Sequence, residues 1–197
     1  DLHEGLRALG IISADNPEGA DFVIGWLLDV VTDWARHAFQ LDSDGGTHAD
    51  SVPIQIVFEG DPGAPDPASW DGTFSMIALG GDGKPNHQAN GIVGMATLDP
   101  NNQGHEDNTV YGRGVYPTGV ARQALSNPLG ALLLASILPH VGTPIGGDPR
   151  DAVFLQPGFD PDGCHDSEVV DRYTVLSLAV EFGGLAIGST LAHEIGH

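Results

Sequence analysis

The most regular pattern along the chain is a series of apolar residues that recurs every four positions after Pro17. Its members are Phe22, Trp26, Val30, Trp34 and Ala38, and Val23, Leu27 and Val31 lie beside them. This spacing places the side chains on one face of an α-helix. Asn16 suits the capping position before the first turn, and proline suits the first helical position because its missing N–H is not needed there. We therefore predict a long amphipathic helix from residue 17 to near residue 41, with both tryptophans in the core.

Short apolar or alternating runs between glycines and prolines predict β-strands after this helix. Five segments have this character: residues 52–58, 74–79, 92–98, 110–115 and 152–155. Gly112 and Gly114 interrupt the fourth segment, and a glycine in a strand marks either a bulge or the close approach of another backbone. A plain bulge and a peptide bound along this strand both stay open.

A second helix is predicted after Asn127 and Pro128, since an Asn cap followed by proline is a common helix start. We expect it to run through residue 138. Its periodic apolar residues are predicted to be buried: Leu129, Leu132, Leu133 and Ile137.

The last part of the chain combines an apolar run with a short motif. Residues 169–182 are apolar and fit a strand or a helix equally well. Gly183 and Gly184 interrupt the run, so we predict a final helix that begins at Gly184 or Leu185. This helix carries the pattern H-E-x-x-H at residues 193–197.

The motif has the residue types and spacing of a catalytic zinc site. On a helix, His193 and His197 project from one face, one turn apart, where two neutral imidazoles bind one zinc ion. Glu194 then lies beside the water that the zinc polarises, which is the position of a general base. The competing interpretation is a pair of partly exposed histidines without metal. It is disfavoured because a glutamate between them on an apolar helix is costly without a cation.

The charge balance narrows the functional classes. The 197 residues include 27 acidic and 7 basic ones, a formal net charge of −20. Such a surface repels phosphate backbones and anionic lipids, so we expect neither nucleic-acid nor membrane partners. The sequence has no run of about 18 apolar residues that predicts a membrane span. With no initiator Met and no signal-peptide core, the chain is expected to be a mature or trimmed piece of a secreted, extracellular protein.

Three segments together resemble a metzincin-type zinc metallopeptidase. Residues 20–59 are similar to its opening helix, loop and strand. Residues 90–96 (NGIVGMA) resemble a later strand, and residues 188–197 (GSTLAHEIGH) resemble the start of the active-site consensus. The resemblance implies an α+β, zincin-like fold, in which a twisted mixed β-sheet of about five strands packs on a long N-terminal helix and on the C-terminal active-site helix. It makes residues 1–197 a single domain, the N-terminal (upper) subdomain of a catalytic domain whose C-terminal subdomain is missing.

The same resemblance implies a zinc-dependent endopeptidase that acts on a peptide or protein substrate. His193 and His197 would bind zinc, and Glu194 would pass a proton from the bound water to the leaving amine. The substrate would pair with an edge strand, residues 91–96 or 110–115.

The family's consensus continues to a third histidine, six residues after the second, that the sequence does not contain. Since a catalytic zinc takes three protein ligands, residues 1–197 alone are expected to be inactive. Three other interpretations stay open: a non-catalytic, acidic, calcium-binding module; a different zinc hydrolase whose third ligand comes from another segment; and a truncated fragment with a vestigial metal site.

Acidic loops and a single cysteine add weaker signals. Residues 99–107 and 160–166 are acidic loops, and calcium binding is an alternative there to plain solvated loops. Cys164 is the only cysteine of the sequence. It is interpreted either as half of a disulfide to a cysteine elsewhere or as a free thiol. A third interpretation, which the resemblance implies, is a thiolate that occupies the zinc. His165 and Asp166 form a secondary cluster with it.

Overall fold

The computed structural model describes residues 2–39, 56–58, 74–80, 93–96, 105–107 and 113–195, together with Ala64, Asp66 and Ser69. The helices are α1 (Leu2–Ala8), α2 (Pro17–Ala38), α3 (Pro117–Ser126), α4 (Pro128–Val141), α5 (Asp151–Phe154) and α6 (Ser167–Ile195). The strands are β1 (Phe74–Met76), β2 (Ala78–Leu79), β3 (Gly94–Met95), β4 (His105–Asp107) and β5 (Gly114–Val115). This part of the chain is therefore mostly helical, with strands of only two or three residues.

The predicted first helix is confirmed as α2, including its start. Asn16 caps it, because the side-chain Oδ1 accepts a hydrogen bond from the Gly19 N–H at 2.8 Å. The fully buried stripe of α2 is Ala20, Val23, Leu27, Val31 and Ala35. Val23, Leu27 and Val31 were expected beside the main predicted series, whose members Phe22, Trp26 and Val30 are only half-buried. Trp34 is 40% exposed, so its prediction as a core residue is wrong, whereas Trp26 is half-buried against the core.

The longest element, α6, packs along α2 and forms the centre of the molecule. Its 29 residues include both the ambiguous segment 169–182 and the Gly183-Gly184 pair, so the predicted helix start at Gly184 or Leu185 is wrong. The glycines of α6 allow close packing: a Cβ on Gly184 would lie 2.7 Å from the Val30 Cβ. Contact with α2 therefore outweighs the low helix propensity of glycine.

The strands form two small sheets within the described residues. In one sheet β5 lies between β2 and β3, parallel to β2 and antiparallel to β3. In the other, β1 pairs in parallel with β4. The predicted α+β fold with a twisted sheet of about five strands is wrong, because the largest sheet among the described residues has three short strands and helices dominate.

Two of the predicted strands have a different structure. Residues 152–155 fall largely within α5, a single helical turn whose Asp151 and Phe154 are fully buried. A run of four apolar residues fits one helical turn as well as a strand, so its pattern carried little information. The run 74–79 divides into β1 and β2, which join different sheets. Of the first predicted strand, residues 52–55 lie outside the described residues, and residues 56–58 do not form a strand.

The second predicted helix is confirmed as α4, but the predicted burial of its leucines is wrong. Asn127 caps it through a 2.9 Å hydrogen bond from the Leu129 N–H to Oδ1. Leu129, Leu132 and Leu133 are 65%, 67% and 41% exposed. Ile137 alone among the four is half-buried against the core. A helix that is apolar on all sides gives no periodicity from which its buried face can be recognised.

A buried ion pair joins α6 to α5 and to the segment that follows α4. Arg172 Nε donates to Asp151 Oδ1 at 2.9 Å, and the two side chains are 2% and 0% exposed. The Arg172 guanidinium also donates to the backbone oxygens of Val141 and Thr143. Asp151 Oδ2 accepts from the Gly146 N–H at 2.6 Å. Both charges are thus hydrogen-bonded, which a buried pair requires to be tolerated.

By length and composition, α6 is apolar enough to cross a membrane, and the bent pair of α3 and α4 passes the same test if it is taken as one span. The core helix of a soluble protein passes this test too. α6 contacts α2 and buries Leu176, Val180 and Ile187, and 39% of its apolar 18-residue window is buried. The absence of a membrane partner stays a prediction.

Candidate catalytic carboxylate and metal ligands

Glu194 lies in the last turn of α6, on the side that faces the core. Ile187 and Leu191, seven and three residues earlier, lie on the same side and are buried. Glu194 itself is only 6% exposed. The helical period of α6 therefore directs this carboxylate towards the sheet formed by β5 and β3, which α6 contacts.

The Glu194 carboxylate packs against β3 at Gly94. A Cβ added to Gly94 would lie 2.5 Å from Glu194 Oε1 and 2.9 Å from both its Cδ and its Cγ. Gly94 pairs with the buried Val115 of β5, and directly paired residues of antiparallel strands share a face. On this face of the sheet, the space that a side chain of residue 94 would fill is occupied by the carboxylate.

Tyr116 follows β5 directly and lies within electrostatic range of Glu194. Its N–H donates to the Val93 oxygen at 2.8 Å, which extends the pairing of β5 with β3. The residue is only 3% exposed. Burial raises the pKa of the Tyr116 phenol, the negative charge of Glu194 raises it further, and the positive charge of Arg113 lowers it in part. The phenol is thus neutral at neutral pH beside the carboxylate.

His193 precedes Glu194 by one residue, about 100° around the helix, and lies on the exposed side of α6. It is exposed, as are Ser189 and Leu185, four and eight residues earlier on the same side of α6. A cation can therefore approach the His193 imidazole from solvent, while the adjoining carboxylate of Glu194 is turned inward. His197 lies outside the described residues, so the pairing of the two imidazoles stays a prediction.

The sheet topology corrects one of the two predicted substrate-binding edges. The segment 110–115 ends in β5, which is the central strand and has β2 on one side and β3 on the other. Gly114 does mark a close backbone approach, but the approaching group is the Ala78 oxygen of β2, within the same chain. Among the described strands, β3 contacts β5 alone, so Gly94 and Met95 keep the outer position that an added strand needs.

The acidic segment 160–166 uses its carboxylates in local hydrogen bonds. Asp166 Oδ1 accepts from the Glu168 N–H at 3.0 Å in the first turn of α6, and Asp160 Oδ1 accepts from the Asp162 N–H at 3.0 Å. Cys164 is a free thiol in the structure, and its neighbour His165 is exposed. Within residues 113–195 and the shorter described segments, no three His, Cys, Asp or Glu side chains are grouped as a metal site. Zinc and calcium binding therefore stay predictions, as does calcium at residues 99–107, of which only β4 is described.

Sequence reasoning missed Gly94 and Tyr116 as neighbours of Glu194. Both lie far from Glu194 along the chain, and they meet it only because β3 and β5 pack against the end of α6. The one available signal was a glycine inside a predicted strand, which indicates close approach by another group without identifying it.

No protein-family model, no curated protein and no solved structure matches this chain. The resemblance to metzincins therefore depends on the sequence segments alone, above all on residues 188–197.

Proposed function

We propose that the chain carries the general base and two zinc ligands of a zinc-dependent endopeptidase. Glu194 is the general base, and His193 and His197 are the ligands. The observation that carries the proposal is the burial of the Glu194 carboxylate at the end of α6, immediately after an exposed histidine within an H-E-x-x-H pattern. A buried carboxylate on an apolar helix is costly unless a cation or a hydrogen-bond network compensates it, and a bound zinc ion supplies such a charge.

The donor set fits zinc in its chemistry. Imidazole nitrogens are common zinc ligands, and two of them four residues apart on a helix can share one ion. A catalytic zinc takes a third protein ligand, which we propose comes from residues that the structure does not describe. When bound, zinc lowers the pKa of a coordinated water to about 7 and polarises the scissile carbonyl.

The chain's own part in the reaction is proton transfer at Glu194. One carboxylate oxygen accepts a proton from the attacking water as the water oxygen bonds to the scissile carbonyl carbon. The resulting carboxylic acid then donates this proton to the amine nitrogen as the C–N bond breaks. General acid–base transfer of this kind contributes on the order of 10²–10⁴-fold to the rate.

The substrate in this proposal is a peptide or protein segment in an extended conformation, and the setting is extracellular. The outer position of β3, beside Glu194, supports this arrangement, because a peptide added there would lie next to the general base. Electrostatics favour substrates without a strongly acidic character, since the protein carries a net charge of −20.

Metal binding tests the proposal independently of turnover. We expect zinc to bind the full-length protein with one equivalent at the motif, measured by isothermal titration calorimetry at neutral pH. His193→Ala should weaken this binding at least about tenfold, because one of the imidazole ligands is lost. His165→Ala is the matched control, since His165 is also exposed but lies before α6. Equal zinc affinity in His193→Ala and the unmodified protein would contradict the assignment and favour a non-catalytic acidic module.

A further inference from the structure

We infer that Gly94 is a positioning residue for Glu194: the missing side chain of this β3 residue determines where the carboxylate of the general base lies. The catalytic meaning of this role rests on the proposed function, whereas the contact between the two residues does not. The contact involves three atoms of Glu194, its Cγ, Cδ and Oε1, at 2.9, 2.9 and 2.5 Å from the Cβ position of residue 94.

The backbone at residue 94 does not itself require glycine. Among the described residues, glycines with positive φ are Gly10, Gly80, Gly142, Gly146 and Gly158. Gly94 is not one of them, so an L-residue can adopt its backbone conformation. Glycine is also unfavourable inside a strand, because it loses more conformational entropy than other residues and offers no side chain to pack. What requires glycine at residue 94 is therefore space.

A methyl group at residue 94 is accommodated only if the flexible end of the Glu194 side chain moves. It would meet the side chain of Glu194 from Cγ to Oε1, so the whole end of the side chain has to move. Val115, paired with Gly94 on the same face, is fully buried and closes the adjacent space. The carboxylate would be displaced away from β3, and a displacement of about 1 Å at a catalytic group costs on the order of 10²-fold in rate.

A double-mutant cycle on thermal stability tests the contact without reference to activity. The four full-length proteins are the unmodified chain, Gly94→Ala, Glu194→Ala and the double variant, and the unfolding midpoint Tm is followed by circular dichroism. Gly94→Ala should lower Tm by about 2–4 °C, as mild overpacking against a flexible side chain does in a chain of this length. In the Glu194→Ala background the same change should leave Tm unchanged or raise it, because the atoms that obstruct the methyl group are gone.

The control for the cycle is Gly25→Ala on α2, where an added Cβ meets nothing within 4 Å. It should shift Tm equally with and without Glu194. A Gly94→Ala protein that fails to fold while the double variant folds supports the inference. Equal Tm shifts for Gly94→Ala in the two backgrounds, or a double variant that also fails to fold, overturn it.

Turnover separates this inference from the proposed function. In a zinc-loaded form of the protein that contains the third zinc ligand, Gly94→Ala should lower kcat for a peptide substrate by about 10²-fold and change KM by less than about threefold, with zinc affinity unchanged. A merely structural role would not lower kcat while KM stays nearly constant. A change in KM with unchanged kcat therefore overturns the positioning role. If Glu194→Ala retains full activity, the proposed function fails, while the stability cycle still decides whether Gly94 positions the side chain.

Discussion

The Arg172 guanidinium and the Asp151 carboxylate form a fully buried ion pair, with Nε and Oδ1 2.9 Å apart. The pair ties the first turns of α6 to α5, and the backbone oxygens of Val141 and Thr143 accept further hydrogen bonds from Arg172. Because α6 is one continuous helix from Ser167 to Ile195, this attachment also fixes the direction in which the helix carries Glu194 towards β3.

Removal of one partner of this pair should be strongly destabilising. We expect Asp151→Ala to lower the free energy of unfolding by about 3–5 kcal/mol, because it leaves the Arg172 charge buried and uncompensated. Asp148→Ala is the control, since Asp148 pairs with an Arg150 side chain that is 40% exposed, and such surface pairs contribute about 0–1 kcal/mol. Urea unfolding measures both. Equal losses in the two variants would show that the buried pair does not anchor α6.

The close packing of α6 on α2 makes two Gly→Ala substitutions opposite in effect. Gly184→Ala should destabilise the protein by about 1–3 kcal/mol, because the new methyl group would meet Val30. Gly25→Ala should stabilise it by about 0.5–1 kcal/mol, because the added Cβ meets nothing and alanine is the better helix former. The midpoints of urea unfolding compare them. A stabilising effect at Gly184 would contradict the described contact.

The Gly183-Gly184 pair also shows why the sequence predicted α2 correctly but not the full length of α6. The stripe of α2 is a local pattern, repeated every three or four residues, and its capping residue Asn16 is adjacent to it. Gly183 and Gly184 looked like a helix break because glycine is a poor helix former. Their compensation is contact with side chains of α2, far away in sequence, which no local pattern contains.

The exposed leucines of α4 should be nearly neutral for stability. We expect Leu132→Ala to change the free energy of unfolding by less than about 0.5 kcal/mol, since Leu132 is 67% exposed. Leu27→Ala, at a position with 0% exposure on α2, should cost about 2–5 kcal/mol. Chemical denaturation of the two variants tests the orientation of α4. A loss of several kcal/mol at Leu132 would mean that this face of α4 is covered.

The charge of Glu194 should be detectable at Tyr116. Glu194→Gln should lower the pKa of the Tyr116 phenol, because a neighbouring anion disfavours the phenolate; burial should still hold it above its ordinary value of 10.0. Ultraviolet absorbance titration measures this, with Tyr116→Phe identifying the signal among the three tyrosines. Glu181→Gln is the control, since its charge raises the pKa of Tyr173 instead. An unchanged Tyr116 pKa in Glu194→Gln would place the two groups farther apart than described.

The raised pKa of Tyr116 also predicts that the free energy of unfolding falls at alkaline pH. The unfolded chain loses the phenol proton near pH 10, before the folded protein does. The contribution of Tyr116 is therefore fully present below pH 10 and is lost as the pH rises through the raised value. Because Tyr116→Phe cannot ionise, its free energy of unfolding should fall less between about pH 9 and about pH 11 than that of the unmodified protein. Urea unfolding at these two pH values measures the difference. A parallel loss in both proteins would contradict the shift.

At the candidate site too, the sequence predicted the residues that form a local motif but not the residues that meet them from distant parts of the chain. His193, Glu194 and His197 were recognisable because the chemistry of a zinc site prescribes residue types at a fixed helical spacing. That Glu194 is turned inward while His193 is exposed follows from the helical period of α6, once its buried face is known. The position of Gly94 and Tyr116 beside Glu194 depends on how a two-residue strand packs on the helix end, and the sequence contains no local signal for that.

The rate of peptide hydrolysis by Glu194→Gln tests the central claim most directly. The variant and the unmodified protein, each in a form that contains the third zinc ligand, are loaded with one equivalent of zinc and compared at neutral pH on the same peptide. If Glu194 is the general base, the variant binds zinc as tightly as the unmodified protein and its kcat falls by at least about 10²-fold. Hydrolysis by Glu194→Gln at the rate of the unmodified protein, with zinc bound in both, would contradict the role of Glu194.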